Sequence, residues 1–136
     1  MKFSHVKPAD TEWRSEGLRP FFLYKDLGIK NASDGKVIAH LVKANPECPP
    51  DKGTGWHIHV LDFQMVYMLQ GWAEFMYEDK VVRVEAGDMV SQNPGLLHYL
   101  FNYSQDMMYM EICSPGDFGS VEQPDPGYPV PAPTPW

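Results

Sequence analysis

Three histidines and one glutamine carry the spacing most able to do chemistry in this chain. His57 and His59 are separated by a single residue, Gln64 follows after four more, and His98 lies far downstream. Residues i and i+2 of a strand project to the same side, so a strand through His57 and His59 sets two imidazoles side by side. A turn after Val60 can bring Gln64 opposite them, and a distant strand can deliver His98 as a third imidazole. Three imidazole nitrogens with an amide oxygen suit one divalent transition metal ion of the Fe, Mn, Ni, Co, Cu or Zn group and suit Mg or Ca poorly. Two roles are open to Gln64: direct ligation through its carbonyl oxygen, or a hydrogen bond to a metal-bound water. Asp62 is read as a turn residue.

These residues need elements to position them, and the chain supplies a repeating one. Short apolar or alternating runs are broken by Gly, Pro, Asn and Asp, with no amphipathic helix and no internal repeat, the pattern of an all-β protein. Strands are predicted over Lys36–Lys43, Trp56–Val60, Gln64–Leu69, Trp72–Tyr77, Val81–Val84, Met89–Ser91, Leu97–Tyr103 and Met107–Ile112. Turns fall at Gly53–Gly55, Glu78–Lys80, Glu85–Asp88, Asn93–Gly95 and Ser104–Asp106. About eight strands in about eighty residues suit a small double-sheet jelly roll, a double-stranded β-helix. Residues 1–35 form an N-terminal arm, with Phe21–Tyr24 as a further edge strand, and residues 36–115 form the barrel. Residues 116–136 form a Pro-rich tail, read either as a frayed C-terminus or as a strap to which Tyr128 and Trp136 give something to bury.

The same stretches resemble the two sequence motifs of the cupins, G-x5-H-x-H-x(3,4)-E-x6-G and G-x5-P-x-G-x2-H-x3-N. The first is carried by His57, His59, Gln64 and Gly71, the second by Gly87, Pro94, Gly95, His98 and Asn102. The resemblance implies a metal bound at His57, His59, the Gln64 position and His98. Gly53 and Gly55 lie closer to His57 than the pattern asks, Pro94 is one place late, and Gln64 stands where the family has Glu. That last departure removes a negative charge, so the ion keeps its full charge in a low-dielectric barrel and favours an anionic ligand.

Strand parity sends Val66, Met68, Ala73, Phe75, Tyr77, Leu100 and Asn102 towards the metal, an apolar pocket for a small organic molecule. Tyr77 and Glu111 are the acid/base candidates. A carboxyl at Glu111 that points inward is expected to have a raised pKa. His5 and His40 have no partners at ligand spacing and read as structural or exposed. The leading functional expectation is a dioxygenase-type oxidoreductase acting on a small acid or enolisable carbonyl compound. A metal-dependent isomerase or lyase, and a non-catalytic ligand-binding protein, stand beside it.

Composition narrows the partners. The hydrophobic fraction of 43% is that of a globular protein, and the net charge of −7 with no basic run removes the footprint of a nucleic-acid or anionic-membrane binder. A polar N-terminus, no long apolar run and only two cysteines, Cys48 and Cys113, point to a cytoplasmic protein with structural thiols. On the outward parity lie Trp56, Ile58, Val60, Met65, Tyr67, Leu69, Tyr99, Phe101 and Tyr103, an apolar exterior from which a homodimer is expected.

Overall fold

Ten strands and almost no helix make up the computed structural model, which describes residues 1–136. In chain order they are β1 (Phe22–Asp26), β2 (Ile38–Ala44), β3 (His57–Val60), β4 (Phe63–Gln70), β5 (Trp72–Tyr77), β6 (Lys80–Glu85), β7 (Met89–Ser91), β8 (His98–Tyr103), β9 (Met108–Ser114) and β10 (Gly119–Glu122). They form two five-stranded sheets, β1-β2-β9-β4-β7 and β10-β3-β8-β5-β6. The pairing is antiparallel throughout. The fold is the all-β jelly-roll barrel that the sequence predicts. No helix is long and apolar enough to cross a membrane.

All eight expected barrel strands form, and β4 shows most clearly the alternation of buried with less buried side chains that a half-solvated antiparallel sheet requires. β1 is the expected edge strand. Gly119–Glu122, assigned to the tail from sequence, instead forms β10 and pairs with β3. Two glycines permit the close approaches that shape the barrel. Gly71 turns the chain from the first sheet into the second at φ +68°, and a Cβ there would lie 2.3 Å from Ser104 Oγ. Gly53, at φ +63°, lets the loop before β3 lie on β8, where a Cβ would sit 2.2 Å from the Leu100 carbonyl oxygen.

One end of the interior is packed with Phe22, Val42, Met68, Ala73, Tyr103 and Met107, each at most 2% exposed. The parity reading fails in the middle of β8. A register shift in the β5–β8 ladder pairs Phe75 with Leu100 but Glu74 with Asn102, leaving Phe101 as the extra residue of a bulge. Beyond it Tyr103 turns inward into the main core and Asn102 turns outward to Glu74. Asn102 therefore does not line the pocket, and Tyr103 does not lie on the exterior. Trp56 and Phe101 are also buried, not exposed, because the Pro-rich tail crosses this face. Val130 packs against their cluster and Tyr128 lies 5.9 Å edge-on to Trp56, although Tyr128 and Trp136, the residues expected to be buried by a strap, stay 38% and 39% exposed. Part of the apolar face that suggested a homodimer is thus covered by the chain's own tail.

Candidate functional site

The other end of the interior is a cavity of about 320 Å³, lined by side chains from both sheets and from the arm before β1. The loop docked by Gly53 begins it. Thr54 N–H donates to the Leu100 carbonyl and Leu100 N–H donates to Thr54 Oγ1, which fixes β3 beside β8. His57 and His98 then become direct cross-strand partners, and His59 follows on the same face of β3. The three imidazole centroids lie 4.1–4.9 Å apart, and one nitrogen from each ring lies within 4.8 Å of the others. All three residues are buried.

Their environment suits a metal ion. His57 Nδ1–H donates to the Gly55 carbonyl at 2.9 Å and His98 Nδ1–H to the Leu96 carbonyl at 2.8 Å. Those bonds fix the tautomer and leave each Nε2 lone pair free. His59 Nδ1 is buried without a hydrogen-bond partner; the Gly119 backbone is near it but outside bonding geometry. Burial lowers each imidazole from 6.5 to about 4, with the positive charge of neighbouring imidazoles and of Arg19 acting in the same direction. Near neutral pH all three are therefore neutral, the form that ligates metal. Three free, converging, neutral nitrogens fit a divalent transition metal.

Gln64, 2% exposed on β4, donates through Nε2 to Glu111 Oε2 at 2.9 Å. This orientation leaves Oε1 as its free ligating atom. Glu111 Oε1 in turn accepts from His40 Nε2–H at 2.7 Å. Glu111 therefore does point inward, but its pKa moves opposite to the expectation. Burial pushes it up, while the His40 hydrogen bond and charge, with the Gln64 bond, outweigh burial and hold it below the ordinary carboxylate range. The negative charge missing at position 64 is thus supplied one strand away, at Glu111 on β9.

His40, read from sequence as structural or exposed, instead lines the cavity. Its signal is its register position opposite Glu111 across the β2–β9 ladder, which only the strand pairing reveals. Tyr77 flanks the site, stacked on Phe75 and 6.1 Å from the His98 ring, with its hydroxyl accepting a 2.5 Å hydrogen bond from Gln92. Burial raises the Tyr77 pKa, so its hydroxyl stays protonated. Gln92, Tyr24, Tyr109, Arg19 and Ser120 also line the cavity and went unnoticed in the sequence. Of the expected lining, Val66, Phe75 and Leu100 face the cavity, whereas Met68 and Ala73 belong to the packed end and Tyr77 packs against that core without lining the cavity. Asp62 lies in a bend between β3 and β4, as expected of a turn residue.

A double-sheet barrel with a three-histidine cluster at one end is the architecture of the cupins, and the comparisons agree. The cupin domain profile matches residues 47–113. The chain belongs to the cupins, as a small single-domain member. Among solved structures it is similar to the polyketide cyclase RemF of Streptomyces resistomycificus, at 13% identity over 93% of this chain and 89% of that one, with a TM-score of 0.70. It is also similar to KdgF of a Halomonas species, at 20% identity over 82% and 94% of the two chains and a TM-score of 0.59. A predicted oxalate decarboxylase of Thermotoga maritima aligns at 23% identity over 82% and 98%, with a TM-score of 0.63. At these identities the likeness shows the fold alone. A search of curated protein sequences found no match.

Proposed function

We propose that this cupin is a metal-dependent enzyme of the isomerase or lyase type, which moves a proton on a small acid or enolisable carbonyl compound. The observation that carries the reading is the inward-facing Glu111, held ionised by His40 in the same cavity as the three histidines. A metal held by His57, His59 and His98, with Gln64 Oε1, would act as a Lewis acid that polarises a substrate carbonyl. The residues of the chain do the rest. Glu111 accepts the proton released beside that carbonyl, using lone pairs its two hydrogen bonds leave free. His40 holds the carboxylate in place, and Tyr77, kept protonated by burial, accepts from Gln92 and so positions that amide at the cavity wall. Val66, Phe75 and Leu100 limit water beside the reacting atoms. The RemF and oxalate decarboxylase likenesses are compatible with such chemistry without assigning it.

One observation favours a second reading, the dioxygenase-type oxidoreductase. The metal donors are all neutral, as in a site that leaves positions open for an anionic substrate and dioxygen. Metal-loaded protein offered small enolisable acids in deuterated water separates the two. Deuterium incorporation without oxygen uptake, falling about 100-fold or more in Glu111→Gln while the metal is retained, supports proton transfer. Oxygen consumed in proportion to substrate supports the oxidative reading and rejects the first.

A further inference from the structure

Four buried side-chain polar atoms in the protein have no hydrogen-bond partner: Thr11 Oγ1, Arg19 Nη2, His59 Nδ1 and Ser120 Oγ. Three of them belong to residues that line the one cavity. Buried donors left without an acceptor are costly, so their concentration in one place points to a ligand that satisfies them.

Arg19 reaches the cavity from the arm before β1, and its side chain is only 13% exposed. Nη1 donates to the Thr54 carbonyl at 3.3 Å and to Glu122 Oε1 at 3.4 Å, which anchors the guanidinium to the loop that positions His57. Glu122 is largely exposed and its contact is long, so it neutralises Arg19 weakly. The charge of Arg19 is felt at all three histidines, which places it at the metal end of the cavity. Ser120, on β10, stands opposite His59 in the β10–β3 register. The sole carboxylate among the lining residues, Glu111, is engaged with His40 and Gln64.

We propose that Arg19 and Ser120 form a carboxylate-binding end of the cavity, so that the substrate is a small organic acid held there by its carboxylate while a second oxygen reaches the histidine cluster. A carboxylate satisfies two of the three: one oxygen accepts from Arg19 Nη2 and the other from Ser120 Oγ, which leaves His59 Nδ1 to the histidine cluster. A cavity of about 320 Å³ is at the small end of the range for small-molecule sites, which suits a small organic acid. The inference rests on the proposed reading of the cavity as a substrate site and goes beyond it by naming the residues that select the anion.

The test is calorimetric and needs no turnover. Zinc-loaded protein is titrated with pyruvate, succinate and levulinate, each beside its neutral amide. The unaltered protein should prefer at least one of the acids to its amide. Arg19→Gln should reduce that preference about tenfold or more, Ser120→Ala by a smaller factor, and Arg19→Lys should retain part of it. Zinc content should stay stoichiometric in all three variants, and amide binding should fall by a smaller factor than acid binding, because an amide carbonyl accepts the same bonds without the charge. Failure to prefer any acid over its amide, or a preference that survives Arg19→Gln, overturns the proposal. So does an equal loss of acid and amide binding in Arg19→Gln, which would make Arg19 a structural residue. Because no proton transfer is measured, these outcomes are distinguishable from failure of the exchange test on Glu111→Gln.

Discussion

The strands of the barrel serve its two interior ends with different materials. β4 carries Gln64 and Val66 into the cavity and Met68 into the packed end; β8 carries His98 and Leu100 one way and Tyr103 the other. β2 divides in the same way, with His40 in the cavity and Val42 in the packed core. At the packed end every side chain meets apolar neighbours, and no polar side-chain atom is stranded. At the cavity end lie three imidazoles shifted to about 4, an ionised carboxylate and three unpartnered polar atoms. The barrel concentrates its stabilising burial at one end and accepts unfavourable chemistry at the other, as a fold does when a site is retained at some cost to stability.

The largest expected effects test that division directly. Met68 is fully buried in the packed end, so Met68→Ala should remove about 2–5 kcal/mol of stability while leaving metal affinity unchanged. His98→Ala should do the reverse, lowering metal affinity about 100-fold or more and leaving a folded barrel. Denaturant titration and metal titration of both variants check the pair. A Met68→Ala protein that loses metal, or a His98→Ala protein that keeps it, would break the comparison.

Acid sharpens the contrast at intermediate size. In the metal-free protein His57, His59 and His98 have folded pKa values near 4, below the ordinary 6.5, so the unfolded chain binds more protons between those values. The stability tied to this difference is present in full above about pH 6.5 and is lost as the pH falls towards 4. From pH 7 to pH 5 one such group is worth about 2 kcal/mol, and three coupled groups less than three times that. Glu111, with its lowered pKa, adds loss of the same sign at lower pH. Urea midpoints at the two pH values should show this loss undiminished in Met68→Ala and reduced in His98→Ala. Equal losses in those two variants would assign the acid sensitivity elsewhere.

The two ends also differ in what their sequence discloses. His57, His59 and His98 were legible because period-two alternation places neighbours on one face, and because their type has few other uses at that spacing. Apolar alternation likewise revealed all eight barrel strands. The rest depends on pairings between distant segments. Glu111 and His40 are 71 residues apart, and only the β2–β9 register makes them partners. The direction of the Glu111 pKa follows from that partner, so an expectation built on burial alone had the sign reversed. Arg19 and Ser120 come from outside the motif-bearing strands, one from an irregular arm and one from a strand embedded in Pro-rich sequence. In β8 a single bulge exchanged the expected places of Asn102 and Tyr103, which no alternation rule anticipates.

The smallest expected effect concerns that bulge and the strap it receives. Asn102, 1% exposed and facing away from both interior ends, is tied to the tail by two reciprocal bonds. Its Oδ1 accepts from Thr134 N–H and its Nδ2 donates to Thr134 Oγ1, each at 3.0 Å. Trp136 Nε1–H closes the strap by donating to the Tyr103 carbonyl at 3.0 Å. Asn102→Ala removes both Thr134 bonds, the 2.8 Å bond to Glu74 and the 3.1 Å bond its Oδ1 accepts from the buried Tyr103 N–H; solvent can reach the freed tail groups, so the cost should be about 1–2 kcal/mol. The local consequence should exceed the global one. Amide exchange and proteolysis of the Pro-rich segment should accelerate, and the loosened tail should uncover Trp56 and Phe101 and so promote association between chains. Metal affinity should not move, because His98 lies on the far side of the bulge and keeps its Leu96 bond. A tail that remains as protected in Asn102→Ala as in the unaltered protein would mean that Trp136 and Val130 hold it without the asparagine. A change in metal affinity would mean that the outer face of β8 is coupled to the cavity after all.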